Sequence, residues 1–230
     1  DLLSKVLYPS DDHFEGKQLR LKQQYFLVSA SIQNIIKDHM RYYDNIDLLP
    51  KYVAIHINDT HPALAIPELM RILLDDYHYT WEKAWNTCCE VFSYTNHTVL
   101  AEALETWPKD IVSSLLPRIY LIIEQINDHF LTKARKNGIS EDIIREISIF
   151  GYHEIRMANL SVMGSHTVNG VSALHSNIIK KSIFKDFYNI SPEKFVNVTN
   201  GIAYRRWLAQ SNPLLTDCIA KRIGDQFFKD

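Results

Sequence analysis

The sequence predicts an α/β domain built on a mostly parallel sheet. Three observations carry that expectation. Short β-branched runs at residues 52–57, 91–95 and 195–199 are separated by long stretches of helical spacing. The 230 residues are 46% hydrophobic and 23% charged, which is enough apolar material for a full core. No apolar run approaches the roughly 18 residues that a membrane span requires. Partners are bounded by charge: 25 Lys+Arg against 27 Asp+Glu leaves a net charge of −2, so no basic surplus exists to neutralise nucleic acid. Three cysteines cannot build a disulfide framework and no leader-like segment opens the chain, so a reduced, cytoplasmic protein is expected.

Each element follows from spacing and punctuation. Residues 16–43 hold no Gly or Pro after Gly16, and Leu19, Tyr25, Phe26, Ser29, Ile32, Ile35 and Ile36 recur near 3.6, predicting a long helix. Residues 45–51 read as a polar loop around Pro50, followed by a buried strand at 52–57. Residues 63–77 return to helical spacing, and Thr80 is placed to cap a helix running through Cys89. A second strand is expected at 91–95, and Pro117 opens an apolar helix to about Lys136. Ser140 caps a short helix to Ile147, with Glu141 and Asp142 suited to its dipole. Residues 152–163 and 172–187 read as helices, interrupted by small residues around Gly164 and Gly170. The third strand, 195–199, ends at Asn200-Gly201, and the rest is helical. The chain begins at Asp1 without Met and stops inside a helix-like pattern, which reads as a piece excised from a longer protein.

Three polar clusters share one position, the carboxyl end of a predicted strand. They are Asn58-Asp59-Thr60-His61, Tyr94-Thr95-Asn96-His97-Thr98 and Thr199-Asn200-Gly201. Ligands of open α/β sheets bind there, because loops and helix N-termini converge outside those ends. Asn, Asp, Thr and His supply the donors and acceptors that a polyhydroxylated ligand needs. The plainer reading makes Asp59 and Thr60 caps of the next helix. His56, His61 and His97 lie on two loops without a chelating spacing, and Cys88-Cys89 is a poor chelate on a helix, so no metal site is expected. The cysteines and Trp81, Trp85, Trp107 and Trp207 are expected in the core or at its boundary. The Gly164–Gly170 stretch lacks a dinucleotide spacing and suggests close backbone approach, between helices or to a ligand. Lys180-Lys181 and Arg205-Arg206 read as anion contacts or solvated helix faces.

Longer motifs then resemble one family, in order along nearly the whole chain. Leu7-Tyr8-Pro9 with Gly16-Lys17-Gln18-Leu19-Arg20-Leu21, Asn58-Asp59-Thr60-His61-Pro62 with Ala65-Ile66-Pro67-Glu68-Leu69-Met70-Arg71, and Tyr94-Thr95-Asn96-His97-Thr98-Val99-Leu100 are similar to the α-glucan phosphorylases. So are Gly164-Ser165-His166-Thr167-Val168-Asn169-Gly170-Val171, Ile183-Phe184-Lys185-Asp186-Phe187-Tyr188, and Thr199-Asn200-Gly201-Ile202 with Arg205-Arg206-Trp207-Leu208. The resemblance implies a helix-rich part of a Rossmann-like N-terminal domain, with residues 1–230 being its later part and ending near the crossover to a C-terminal cofactor domain. It implies phosphorolysis of α-1,4-glucan by inorganic phosphate to α-glucose 1-phosphate, in a homodimeric, cytoplasmic, glycogen-, starch- or maltodextrin-degrading enzyme.

The resemblance also implies roles. His97 matches the histidine that binds the glucosyl hydroxymethyl and offers its carbonyl to the reacting sugar, Asn200 hydrogen-bonds the same sugar end, and Val171 lines the site beside it. Asp59 and His61 match the loop beside the sugar subsite, and Tyr94 approaches it. Asp12 lies on the family's gate loop, where it and Ser10 depart from the regulated members' pattern while Asp11 matches. Lys37-Asp38 stands where animal enzymes carry two arginines for an activating nucleotide, so no nucleotide activation is expected. The family's pyridoxal phosphate is carried by a lysine of the C-terminal domain, so no cofactor-binding residue is expected in this chain. Carbonyl dipoles and hydroxyl-binding donors around an oxocarbenium-like sugar, with the cofactor phosphate exchanging the proton, require no glycosidase carboxylate pair. Two other readings stand beside this one: a non-catalytic carbohydrate-binding module, and a helix-rich structural domain whose strand-end clusters do not converge.

Overall fold

The computed structural model describes residues 2–6 and 8–229, so Asp1, Asp230 and Leu7 of the Leu7-Tyr8-Pro9 motif lie outside the described residues. The chain divides into two units, residues 1–198 and 199–230.

In the first unit a four-residue helix, α1 (Leu2–Lys5), precedes the long helix α2 (Phe14–Tyr43). The long helix buries Leu21, Val28, Ile32 and Ile36 along one stripe. Of the positions whose spacing predicted the helix, Ile32 and Ile36 lie on that stripe, whereas Phe26 is exposed because the core-facing side is rotated toward Leu21 and Val28. It stops at Asp44, whose φ of 46° is left-handed and whose N–H closes the last turn on the Met40 carbonyl. Residues 45–51, expected as a polar loop, instead coil: a 3₁₀ turn at Ile46–Leu48 runs into α3 (Leu49–Tyr52). Asn45 caps that turn through its side chain, and Pro50 sits in the first helical turn, where a missing N–H costs nothing. The first strand therefore starts later than expected, as β1 (Ile55–Asn58).

Helix α4 (Ala65–Arg71) continues as a π turn through Asp76, and Thr80 accepts the Lys83 N–H to open α5 (Trp81–Val91). Then come β2 (Phe92–Asn96), β3 (Thr106–Pro108), α6 (Lys109–Leu115), α7 (Pro117–Lys136) and α8 (Glu141–Ile147). Ser140 holds the extended cap conformation of α8 without a side-chain cap bond. The single helix expected at 152–163 is a strand, β4 (Glu154–Arg156), leading into α9 (Met157–Gly164). Strand β4 pairs antiparallel with β3, and that partner, far along the chain, overrides the local helical spacing.

The largest departure is β5 (Thr167–Gly170), where only a small-residue interruption was read. It is followed by α10 (Ala173–Lys181), α11 (Lys185–Ile190) and β6 (Phe195–Asn197). The main sheet is wholly parallel in the order β1-β2-β5-β6, so the unread strand is an interior one. Four residues, two of them Asn and Gly, carry too little β-branched signal to announce a strand. The small residues serve packing between elements. A Cβ on Gly164 would stand 2.8 Å from the Ile66 side chain, and one on Gly170 would stand 2.3 Å from Ser176 Oγ. Helix α9 is buried at all eight positions, so its pattern has no polar face to reveal it as amphipathic.

The second unit holds α12 (Tyr204–Ser211) and α13 (Pro213–Ile223), with Asn212 between them accepting the Leu215 N–H as a cap. Trp207 is 55% exposed and Cys218 is exposed, against the expectation of core positions. Trp85, Trp107 and Cys88 are buried as expected.

Candidate functional site

The tips of β1 and β2 meet. Register pairs Asn58 with Thr95, and the Asp59 N–H extends the ladder by donating to the Thr95 carbonyl at 2.9 Å. The chain then turns sharply because Asp59 takes a left-handed φ of 66°, a conformation open to Asp through its short polar side chain. Asp59 Oδ1 accepts the Thr60 N–H at 2.7 Å, and the Thr60 carbonyl accepts the Ala63 N–H at 2.9 Å. Helix α4 begins beyond these residues, so neither Asp59 nor Thr60 is its cap.

At the exit of β2 a fully buried Asn96 sets the path. Its Nδ2 donates to the Tyr94 hydroxyl at 3.0 Å and its Oδ1 accepts the Thr98 N–H at 3.0 Å. The intervening His97 is left exposed, and its Nε2–H donates to Asn58 Oδ1 at 2.7 Å. With Nε2 carrying the hydrogen, Nδ1 remains an acceptor. Further back, His56 Nε2 and Asn169 Nδ2 both reach Thr95 Oγ1, at 2.6 and 3.3 Å. Asn169 Oδ1 then accepts the Val198 N–H at 2.6 Å. A polar belt thus runs from β1 through β2 and β5 to the main chain just past β6.

Above the β1 exit lies a cleft of about 450 Å³ faced by Asp59, Thr60 and His61, with Thr98 from the β2 exit. Helix α2 contributes Lys17 and Arg20, and the paired strands β3 and β4 contribute Trp107 and Glu154, with Glu105 just ahead of β3. Glu105 Oε1 accepts from Gln24 Nε2 at 3.0 Å, while its buried Oε2 has no partner within the protein. Acidic and basic side chains both line the cleft, which suits a ligand rich in hydroxyls better than one of a single charge.

The predicted site residues are placed unequally. Asp59 and His61 share the cleft, and His97 is tied to Asn58 beside it. Asp12 is exposed and accepts from Ser10 Oγ at 2.8 Å, whereas its neighbour Asp11 lines the cleft. Tyr94 does not reach the surface: strand alternation turns it into the core, edge-on to Phe184, with burial pushing its hydroxyl pKa well up. It supports the site from beneath through Asn96. Val171 is half-buried, and its N–H donates to His175 Nδ1 at 3.0 Å. Asn200 belongs to the second unit and lies exposed ahead of α12. Glu105, Trp107 and Glu154 were missed, because only the pairing of β3 with β4 brings them over the β1 exit. Arg20 carried a signal, standing inside a motif quoted for the resemblance without a role attached.

The fold and this geometry define an α/β domain with a polar cleft outside the carboxyl end of its first parallel strand. The chain belongs to the carbohydrate phosphorylase family, which matches it over residues 1–230. It is 52% identical to the glycogen phosphorylase of Haemophilus influenzae, an alignment covering 98% of this chain. It is 48% identical to that of Bacillus subtilis over all of the chain, and 50% identical to the human muscle form over 99% of it. The chain spans 28% of the length of the first and third of these relatives and 29% of the second.

Proposed function

We propose that this chain forms one wall of the glucosyl site of an α-1,4-glucan phosphorylase, the later part of its N-terminal domain. The reaction is cleavage of a terminal α-1,4 bond by inorganic phosphate to release α-glucose 1-phosphate. One observation carries the reading: the 2.7 Å bond that joins His97 at the β2 tip to Asn58 at the β1 tip, directly beside Asp59 and His61. The Asn58 bond fixes the His97 ring, leaving Nδ1 as an acceptor for a sugar hydroxyl donor. The main-chain carbonyl of the exposed His97 is the dipole assigned to the positive charge that develops on the sugar. Asp59 adds a carboxylate held rigid by its own main-chain turn. Val171, held by His175, lines the same sugar pocket.

Pyridoxal phosphate does not fit the residues of this chain. Lys194 is the lysine whose pKa burial holds low, yet its Nζ donates to the Val162 and Met163 carbonyls. The cavity beside it measures about 10 Å³, too small for a pyridine ring. The cofactor is assigned to the remainder of the enzyme, and no step is derived through it.

The test is phosphorolysis of maltodextrin by the full-length enzyme carrying His97→Ala. The expected loss in kcat is about 10²–10³-fold, the effect of removing one preorganised polar group from a developing charge. An unchanged kcat removes His97 from the site. A carbohydrate-binding module is the reading that survives if glucan binds undiminished while no variant at Asp59, His97 or Asn200 alters turnover.

A further inference from the structure

We propose that Arg20 is a positioning residue that straps residues 8–13 onto helix α2. Its Nη1 pairs with Asp11 Oδ2 at 2.5 Å, and its guanidinium carbon lies 5.3 Å from the centre of the Tyr8 ring. One side chain thus grips the segment at two points three residues apart, an ion pair at one and a cation–π contact at the other. The Tyr8 ring in turn stands edge-on to His61, with centroids 6.4 Å apart, so the grip extends to the β1 exit.

The seat of the strap is a missing side chain. A Cβ on Gly16 would stand 1.8 Å from the Ser10 carbonyl oxygen and 3.0 Å from its carbon, so the segment's main chain occupies the place a side chain would take. Tyr8 holds a left-handed φ of 53°, which local preference disfavours for a residue with a Cβ. Tertiary contacts therefore impose the path of the segment.

Arg20 also separates two cavities. It faces both the polar cleft of about 450 Å³ and an apolar cavity of about 530 Å³ lined by Tyr8, Phe26 and Leu27, with His61 shared between them. Its Nε is buried without a protein partner. The side chain is thus held by the segment it grips and not by a second anchor on α2. The consequence for turnover rests on the proposed glucosyl site: Asp11 lines that cleft, so loosening the strap removes one of its sides.

Hydrogen exchange in the full-length enzyme tests the strap without reference to chemistry. Arg20→Gln is expected to lower protection of the first bonded amides of α2, beginning with the Lys17 N–H that donates to the His13 carbonyl of the segment at 3.1 Å, by about tenfold or more, with amides of β1 and β2 unchanged as the check on folding. Asp11→Asn should loosen the same amides, and the double variant should loosen them no further than the stronger single, because both remove one interaction. Arg20→Lys keeps the charge but not the planar fork, and should restore only part of the protection. Unchanged protection in Arg20→Gln, or additive effects of the two substitutions, overturns the proposal. If Arg20→Gln perturbs the sheet amides, Asp11→Asn alone decides. In the same variants the KM for maltodextrin should rise several-fold while kcat stays within about twofold. Loosened amides with an unchanged KM leave the strap standing and remove residues 8–13 from the glucosyl site.

Discussion

Glu68 and Glu105 are both carboxylates reached by donors from helix α2, and they are treated in opposite ways. Glu68 on α4 is fully buried, and four donors converge on it: Tyr25 and Ser29 hydroxyls at 2.8 Å each, and Arg71 through Nε and Nη2 at 3.0 Å each. Glu105, at the cleft, receives only Gln24 and keeps a buried oxygen without a protein partner. A buried charge costs several kcal/mol unless its lone pairs are met, so the saturated one fastens α2 to α4. The half-met one belongs to a residue that lines the cleft. Saturation therefore separates the carboxylate that holds the fold from the one that lines the cleft.

The contrast is open to attack in order of expected effect. Arg71→Met leaves Glu68 buried with its charge uncompensated, and urea unfolding should show a loss of about 3–5 kcal/mol. A loss below 1 kcal/mol would mean that the network is not closed. Tyr25→Phe removes a hydrogen bond to a charged group and should cost about 1.5–3 kcal/mol. This second variant also has a pH signature. Burial first, and then the Glu68 carboxylate, push the Tyr25 hydroxyl from the usual 10.0 up to about 12. The folded state thus holds that proton more tightly than the unfolded state. The stabilisation is complete below pH 10 and is lost as the pH climbs to about 12. The difference in stability between wild type and Tyr25→Phe should shrink across that window, and a constant difference would detach the tyrosine from Glu68. Glu105→Gln should change stability by no more than about 0.5 kcal/mol, since nothing in the protein depends on its second oxygen. Its effect should fall on the KM for glucan. A large loss of stability with an unchanged KM would reverse the roles assigned to the two carboxylates.

Legibility followed the range of the interactions. Helices α2 and α7 were readable because a one-sided apolar stripe repeats every 3.6 residues and a cap, proline or left-handed residue ends it. Thr80 announced α5 for the same reason. Strands β1, β2 and β6 were readable from their β-branched and aromatic runs, although β1 begins at Ile55 because Leu49–Tyr52 winds into a helix. Strand β5 was not readable. Its identity comes from lying between β2 and β6, and its glycine comes from the approach of Ser176. Strand β4 was hidden likewise, its three residues being extended only because β3 pairs with them.

The candidate site divides along the same line. The clusters at the β1 and β2 ends were named from sequence, and two of their members, Asn58 and His97, prove to be bonded. What could not be read was direction. Tyr94 sits within a polar cluster yet points into the core, because a strand sends alternate side chains to opposite faces and only the packed sheet decides which face is buried.

The sequence by itself determined the longer helices, three of the parallel strands, the polar chemistry at their carboxyl ends and the family, since each is written in contiguous residues or fixed spacing. The tertiary structure alone decided that β5 is an interior strand, that Glu105 and Trp107 come to face Asp59, and that Arg20 grips Tyr8 and Asp11. Those outcomes depend on which distant segments share a surface, and a pairing between distant segments leaves no periodic trace in either one.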